Sequence, residues 1–262
     1  KFLPVNMADA KARGWDTLDF VYVIGDAYVD HPSFGAAIIS RVIEAMGFSI
    51  GIISQPVSKK DYQVFGQPRY SFLVTGGNID SMVAHYTAAK KKRSDDAYTP
   101  GGRAGRRPDR ATIVYSNTLR ELYPNAAIII GGLEASLRRF AHYDYWDDAV
   151  RPSILADAKA DLLLYGMGEK TIAQVAEAFR EGKTVKEMRH IRNVCYMAKQ
   201  WELPEDYVTC ASCQKVAENK LAYAKAHQIQ MRWQDSVYGK HIVQKHGLEA
   251  YLVQTPHMPT LN

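Results

Sequence analysis

The sequence predicts an α/β fold, in which a doubly wound, mostly parallel sheet of five or six strands carries helices on both faces. Two observations predict this fold. Short apolar runs bounded by glycine recur along the chain, and each is too short for a helix, which is typical of strands buried on both faces. Apolar residues at helical spacing lie between these runs. The alternation of the two patterns is typical of βαβ units and a parallel sheet.

The first βαβ unit is the clearest. Residues 20–24 (FVYVI) are a buried strand, residues 33–47 carry a helical apolar pattern that ends at a glycine, and residues 48–53 are a second strand. The crossover between the strands should be right-handed. The polar loop 26–32 follows the first strand, at the edge where open α/β sheets bind ligands.

Further apolar runs predict strands at residues 70–75, 126–130, 161–165 and, as a sixth strand, 193–198. We therefore divide the chain into a lead-in, an α/β domain and a C-terminal extension, which cover residues 1–19, 20–200 and 201–262. The extension is predicted to be a helical brace, since residues 213–233 resemble one long polar helix. A short hairpin and a linker are expected after this helix.

Composition excludes several classes of protein. The 262 residues are 47% hydrophobic and 23% charged, so the chain can bury a large core and disorder is not expected. No apolar run is long enough to span a membrane, and the N-terminus lacks the pattern of a signal peptide. Three cysteines argue against a disulfide scaffold and for a reducing compartment, so we expect a cytoplasmic protein.

Four predicted strands end in glycine followed by polar residues. In a parallel sheet these ends meet at one edge, where glycine lets a ligand approach the backbone. The predicted ligand crevice comprises Asp26, Tyr28, Asp30, His31, Gly76, Gly77, Asn78, Gly131, Gly132, Glu134, Gly166, Gly168 and Glu169. The alternative is that each glycine only makes a tight turn. The sequence contains neither a dinucleotide-binding fingerprint nor a phosphate-binding P-loop, and it identifies no catalytic residue.

The basic segment, which we define as residues 90–110, has eight basic and three acidic side chains around Pro-Gly-Gly. The pattern favours a solvated surface loop. The alternative is that Arg103, Arg106 and Arg107 bind an anion or RNA, although the segment's one aromatic residue, Tyr98, offers little base stacking.

Three other patterns leave alternatives open. Asp30, His31 and Glu134 could serve a self-contained hydrolase or isomerase, but no nucleophile accompanies them. A second cluster consists of His142, Asp144, Asp147 and Asp148. It could hold a metal through nitrogen and oxygen ligands. We favour the alternative, in which these residues and the neighbouring aromatic side chains form a packed lid or a docking loop for a partner. The Cys210–Cys213 pair has CxxC spacing, which alone is weak evidence for redox chemistry, so we expect no metal site in this chain.

Three motifs are specific enough to suggest a family. They are GDAYVDHPSFGAAIISRVIEAMGF (25–48), GGLEASLRRFAHYDYWDD (131–148) and ADLLLYGMGEKT (160–171). They resemble the N-terminal region of the YgiQ-type family of radical SAM proteins, and the resemblance extends along nearly the whole chain. It implies a Rossmann-like domain akin to cobalamin-binding domains.

The resemblance also implies a longer parent protein, in which a radical SAM core follows this domain. YLVQTPHMPT (251–260) resembles the run just before that core. The core would carry a [4Fe-4S] cluster on a CxxxCxxC motif and bind S-adenosylmethionine. We expect the parent to be an enzyme of undefined substrate, with this chain alone not catalytic and its missing core as its partner. Cobalamin is a further implied ligand, but Asp30 and His31 are adjacent and do not match the D-x-H-x-x-G motif, so the histidine ligand is not carried over.

Overall fold

The computed structural model describes residues 1–259, and in that range nine strands form one sheet. Its order is β2-β1-β3-β4-β7-β8-β11-β10-β9, and β5 and β6 form a separate hairpin. The strands are β1 Phe20–Ile24, β2 Ile50–Ser54, β3 Ser71–Thr75, β4 Ala127–Gly131, β5 His142–Asp144, β6 Ala149–Arg151, β7 Leu162–Leu164, β8 Val194–Ala198, β9 Tyr207–Thr209, β10 His241–His246 and β11 Ala250–Gln254.

Five parallel strands build the N-terminal half of the sheet. β1 pairs in parallel with β2 on one side and β3 on the other, and β4 and β7 continue in the same direction. All five residues of β1 and of β3 are buried, as expected for strands covered on both faces. The predicted mostly parallel α/β fold is confirmed, and strand order reverses between β1 and β3.

The C-terminal extension differs from the predicted helical brace. β8 is antiparallel to β7, and β11 and β10 continue the same sheet as an antiparallel hairpin, with β9 at the edge. The sheet is therefore larger than predicted, and strands on both sides of residue 200 belong to it. The predicted long helix is two helices, with Asn219 between them capping the second. Residues 260–262 of the predicted linker lie outside the described residues.

Helices cover both faces of the sheet. The helices are α1 Met7–Lys11, α2 Gly35–Ala45, α3 Ser81–His85, α4 Ala111–Leu122, α5 Gly132–Leu137, α6 Ile154–Asp157, α7 Glu169–Arg180, α8 Cys213–Glu218 and α9 Lys220–Trp233. α2 and α7 pack together on one face, through Ile43, Ile172 and Val175. α4 packs on the other face through Tyr115 and Leu119.

Within residues 1–259, no helix combines the length and apolarity that crossing a membrane requires.

Candidate functional site

A cavity of about 280 Å³ opens at the carboxyl edge of β1, β3, β4 and β7. We call it the edge cavity. It lies beside the β1–β3 junction, where strand order reverses and doubly wound sheets bind ligands. Strands and helices line it with apolar side chains: Ile24, Leu73, Ile129 and Leu164 from the sheet, Ile38 and Ile39 from α2, and Ile172 from α7. The cavity is thus an apolar space with a polar rim.

Most of the predicted crevice residues line this cavity. They are Asp26, Tyr28, Gly77, Asn78, Gly131, Gly132, Gly166, Gly168 and Glu169. The exceptions are Asp30, His31, Gly76 and Glu134. The prediction that strand ends converge therefore describes the geometry well, and the binding role of these residues stays a prediction.

Glu134 is a structural residue. It is 1% exposed, and its two carboxylate oxygens accept hydrogen bonds from the backbone N–H groups of Ser81 (2.8 Å) and Thr112 (3.0 Å). Ser81 and Thr112 lie in the first turns of α3 and α4, where a negative charge is stabilised. A Cβ on Gly76 would lie 2.6 Å from one of these oxygens. Glu134 therefore joins two helix N-termini and does not face the edge cavity.

Asp30 and His31 are not arranged as an acid–base pair. Asp30 accepts hydrogen bonds from Arg41, which hold the pKa of Asp30 below its usual value. His31 is exposed, and its Nδ1 accepts a hydrogen bond from the backbone N–H of Ser33 at 3.1 Å. Neither residue lines the edge cavity. The structure therefore gives no support to a self-contained hydrolase or isomerase built on Asp30, His31 and Glu134.

Sequence reasoning missed the role of Arg107. Its side chain is 0% exposed, and its Nη1 lies 3.1 Å from Asp26 Oδ1. Its Nη2 donates to both carboxylate oxygens of Asp96, at 3.1 and 3.0 Å, and its Nη1 donates to the Gly76 carbonyl at 2.7 Å. No pattern in the basic segment distinguishes this arginine from the exposed Arg106 beside it.

Asp26 is also held from the cavity side. Its Oδ2 accepts a hydrogen bond from the backbone N–H of Asn78 at 2.7 Å, and burial raises its pKa. Gly77 makes this packing feasible, because its φ is 110° and a Cβ there would lie 2.0 Å from Asp26 Oδ1. Asp26 thus orients the rim through Asn78 and Arg107.

Most of the basic segment is exposed, as predicted for a surface loop, but part of it is anchored to the sheet. The Ala27 N–H donates to the Tyr98 carbonyl at 2.8 Å, and the Gln55 side chain donates to Thr99 Oγ1 at 2.8 Å. Asp96, Thr99 and Arg107 are buried. The segment therefore folds against the ends of β1 and β2, and the burial of Arg107 removes one of the three arginines on which the RNA alternative depended.

After β11 the chain passes close to the loop that follows β7 and to the start of α7. Arg192 donates to the His257 carbonyl at 3.0 Å, and Lys170 of α7 donates to the Pro259 carbonyl at 3.0 Å. The ring of His257 packs beside Gly166, where a Cβ would lie 3.2 Å from Nε2. This segment was predicted only as a linker.

The described residues include no group of three or more His, Cys, Asp or Glu side chains that could hold a metal ion. The metal alternative for the cluster around Asp144 is thus not supported, since Asp144 accepts hydrogen bonds from Arg110 at 2.9 and 3.0 Å. Burial raises the pKa of the Cys210 thiol to about 12, so this cysteine is not a thiolate near neutral pH. The raised pKa gives no support to a redox role for the CxxC pair.

The residues at the carboxyl edge do not fit a cobalamin with a histidine on its cobalt. No histidine among the described residues lines the edge cavity, and His31 is held by Ser33. The described residues offer this cavity an apolar floor and a rim of glycine, amide, carboxylate and hydroxyl groups.

Comparison with known proteins shows similarities that extend over nearly the whole chain. The sequence profile of the family described as "Radical SAM N-terminal" matches residues 2–262. A UPF0313 protein of Clostridium botulinum (strain ATCC 19397 / Type A) is 55% identical over 100% of this chain and 41% of the relative. A UPF0313 protein of Clostridium perfringens (strain ATCC 13124) is 52% identical over 99% of this chain and 40% of the relative. The chain thus spans about two fifths of the length of these curated relatives.

Solved structures give a more distant similarity. The radical S-adenosylmethionine methyltransferase TsrM from Kitasatospora setae, with tryptophan substrate and a SAM analogue bound, is 16% identical with a TM-score of 0.45. The match covers 68% of this chain and 28% of TsrM.

Proposed function

This chain belongs to the Radical SAM N-terminal family, and we propose that it is the ligand-holding N-terminal domain of a radical SAM enzyme. The family match confirms the resemblance that three sequence motifs suggested. Because the chain spans only 41% of its relative from Clostridium botulinum, the parent protein has room for a separate catalytic core. The substrate of the parent is undefined.

The proposed reaction needs groups that lie outside this chain. Cysteines of the core would hold a [4Fe-4S] cluster, which would supply the electron for the reductive cleavage of S-adenosylmethionine. The three cysteines of this chain do not have the CxxxCxxC spacing, and the described residues include no group of three or more His, Cys, Asp or Glu side chains that could hold a metal ion. The role of this chain is therefore to bind and orient, and the proposal gives cobalamin no histidine ligand, because no histidine among the described residues lines the edge cavity.

The edge cavity is the proposed ligand site. Its walls are mainly apolar, and none of the described residues that line it is Lys, Arg or His. Asp26 is already paired with Arg107, so Glu169 is the carboxylate at the rim that a ligand could contact. These features favour a small, mostly apolar and uncharged ligand over a phosphate or a nucleotide.

The rest of the parent is the proposed partner at this edge. Large apolar side chains are exposed there, on α5, on the loops that follow β1 and β7, and on the loop that precedes β10: Val29, Leu133, Leu137, Met167, Val237 and Tyr238. Exposed apolar side chains gathered on one face are typical of an interaction site. The segment 255–259, which leads toward the rest of the parent, runs along the same edge. The single observation that carries the proposal is this convergence of cavity, apolar edge and connecting segment.

The enzymatic part of the proposal is tested on the full-length parent protein. With its cluster loaded and a chemical reductant present, we expect it to convert S-adenosylmethionine to 5′-deoxyadenosine and methionine, measured by chromatography. Replacement of the core's CxxxCxxC cysteines by alanine should abolish the product. Absence of 5′-deoxyadenosine from the cluster-loaded protein would contradict the proposal.

The ligand-holding part is tested by narrowing the edge cavity. Ala36→Leu adds a larger side chain to the α2 wall, whereas Ala45→Leu makes the same change on an exposed position of α2. We expect mass spectrometry to detect a small molecule released from the denatured full-length protein, and Ala36→Leu to retain about tenfold less of it, corresponding to about 1.4 kcal/mol of binding. Equal retention by both variants would contradict a ligand role for this cavity.

A further inference from the structure

A second cavity, of about 320 Å³, lies between residues 139–142 and α9. We call it the α9 cavity. Its walls are partly apolar, with Leu137, Phe140, Val216, Ala226 and Met231. Leu137 and Met231 are exposed at 62% and 58%, so apolar surface continues outward from the cavity. The volume and the mixed lining are those of a small-molecule site.

The α9 cavity differs from the edge cavity in charge. None of the described residues that line it is Asp or Glu, whereas Arg139, His142 and His227 line it together with Gln230 and Gln234. The Nδ1 of His142 lies 3.1 Å from the Phe140 carbonyl, to which it donates, and burial lowers the pKa of His142 to about 4. His142 is therefore neutral near pH 7, and Arg139 is the fixed cation of the lining.

Arg139 is held by neutral groups. Its Nε donates to Gln254 Oε1 at 2.6 Å, its Nη1 to the Ser136 carbonyl at 2.6 Å, and its Nη2 to Gln234 Oε1 at 2.9 Å. Its guanidinium also lies over the ring of Tyr165, at 5.1 Å from the centroid. A guanidinium has five N–H groups, so N–H donors remain after these three bonds.

The neighbouring arginines are paired with carboxylates, whereas Arg139 is not. Arg138 is paired with Asp80, Arg107 with Asp26 and Asp96, and Arg110 with Asp144. No carboxylate pairs with Arg139 among residues 1–259. A half-buried cation without a counter-charge carries a desolvation cost that a bound anion would offset.

We propose that the α9 cavity binds a small organic anion, a carboxylate or a phosphate monoester, with its charged group on Arg139 and its apolar body against Phe140 and Met231. The planar guanidinium is preorganised by three hydrogen bonds, and its free N–H groups suit the oxygens of either anion. This site is separate from the edge cavity and does not depend on the function proposed for that cavity.

The proposal is tested by calorimetric titration of the full-length protein with three probes: benzoate, phenyl phosphate and the uncharged benzamide. Benzoate and phenyl phosphate represent the two anion classes, and the tighter of the two identifies the preferred one. We expect the preferred anion to bind at least about tenfold more tightly than benzamide, because its oxygens accept charge-assisted hydrogen bonds from Arg139 that are stronger than those to a neutral amide. Benzamide binding as tightly as both anions would overturn the proposal.

Gln234→Glu locates the binding to this cavity. The substitution is nearly isosteric, and it places a carboxylate where Gln234 Oε1 already accepts from Arg139. The new ion pair should weaken binding of the preferred anion at least about tenfold. Gln228→Glu makes the same charge change at an exposed position of α9 that does not line the cavity, and should leave binding unchanged.

Arg139→Lys is the second variant. It keeps the positive charge but replaces the planar guanidinium, with its fixed N–H donors, by an ammonium group. It should bind the anion more weakly than the unmodified protein but more tightly than Gln234→Glu, with thermal unfolding confirming that each variant is folded. Equal anion affinity in the unmodified protein and in folded Gln234→Glu would overturn the assignment.

Discussion

At the scale of single residues, buried ion pairs decide how the carboxyl edge is built. Arg107 reaches Asp26 and Asp96 from within a segment whose composition suggests a solvated loop. Removing one member of a buried ion pair is costly because the remaining charges stay buried. Arg107 is therefore a positioning residue for the rim of the edge cavity.

Arg107→Met should lower the free energy of unfolding by about 3–5 kcal/mol, because Asp26 and Asp96 would lose their cation. Arg106→Met is the matched control, since Arg106 is exposed, and should change stability by no more than about 0.5 kcal/mol. Urea unfolding monitored by circular dichroism measures both. Equal small losses in the two variants would show that the buried cluster does not stabilise the fold.

His142 should make stability depend on pH. Burial lowers its pKa from 6.5 to about 4, so the unfolded chain binds more protons than the folded chain between these values. The contribution of neutral His142 to the free energy of unfolding is therefore fully present above pH 6.5. It decreases by up to about 3 kcal/mol as the pH falls toward 4. His142→Gln should flatten this slope in unfolding measurements, with the same substitution at the exposed His31 as the control. An unchanged slope in His142→Gln would contradict the assignment.

At the scale of elements, the strands that the sequence predicted well are the apolar ones. β1, β3 and β4 each contain a run of consecutive apolar residues. Such a run places apolar side chains on both faces of the strand, so the strand must be covered on both faces. The sequence predicted a C-terminal hairpin but not that its strands join the sheet, because β10 reads HIVQKH and is interrupted by polar residues. Only the tertiary position of β10, between β9 and β11, explains why Gln244 is buried there.

The candidate site could also be predicted only in part from the sequence. Glycines after strands predicted correctly that polar loops would meet at one edge, because backbone direction fixes where strand ends lie. They could not predict that Glu134 bonds two helix N-termini, or that Arg107 is buried, because hydrogen-bond partners depend on residues far away in sequence.

The hairpin of β10 and β11 should be part of the cooperative core. Leu252 is 0% exposed in β11, whereas Leu248 is 92% exposed in the turn between the strands. Leu252→Ala should destabilise the protein by about 2–5 kcal/mol in a single unfolding transition, and Leu248→Ala by no more than about 0.5 kcal/mol. A separate, earlier transition for Leu252→Ala would mean that the C-terminal extension folds as an independent domain.

At the scale of the whole molecule, apolar side chains are exposed at the carboxyl edge of the sheet. Met167, which lines the edge cavity, is 69% exposed, and Tyr238, in the loop that precedes β10, is 81% exposed. Their exposure leaves apolar surface in water, which the rest of the parent would cover. The central claim is that this edge faces the remainder of the parent protein.

Hydrogen–deuterium exchange tests this claim most directly, by comparing the full-length parent with the 262-residue chain. Amides of β3 and β4 should be protected in both, which verifies that the chain is folded. Amides of residues 132–138, 166–169 and 234–240 should exchange at least about tenfold more slowly in the full-length protein, because the core covers them. Equal exchange of these three segments in both proteins would contradict the account.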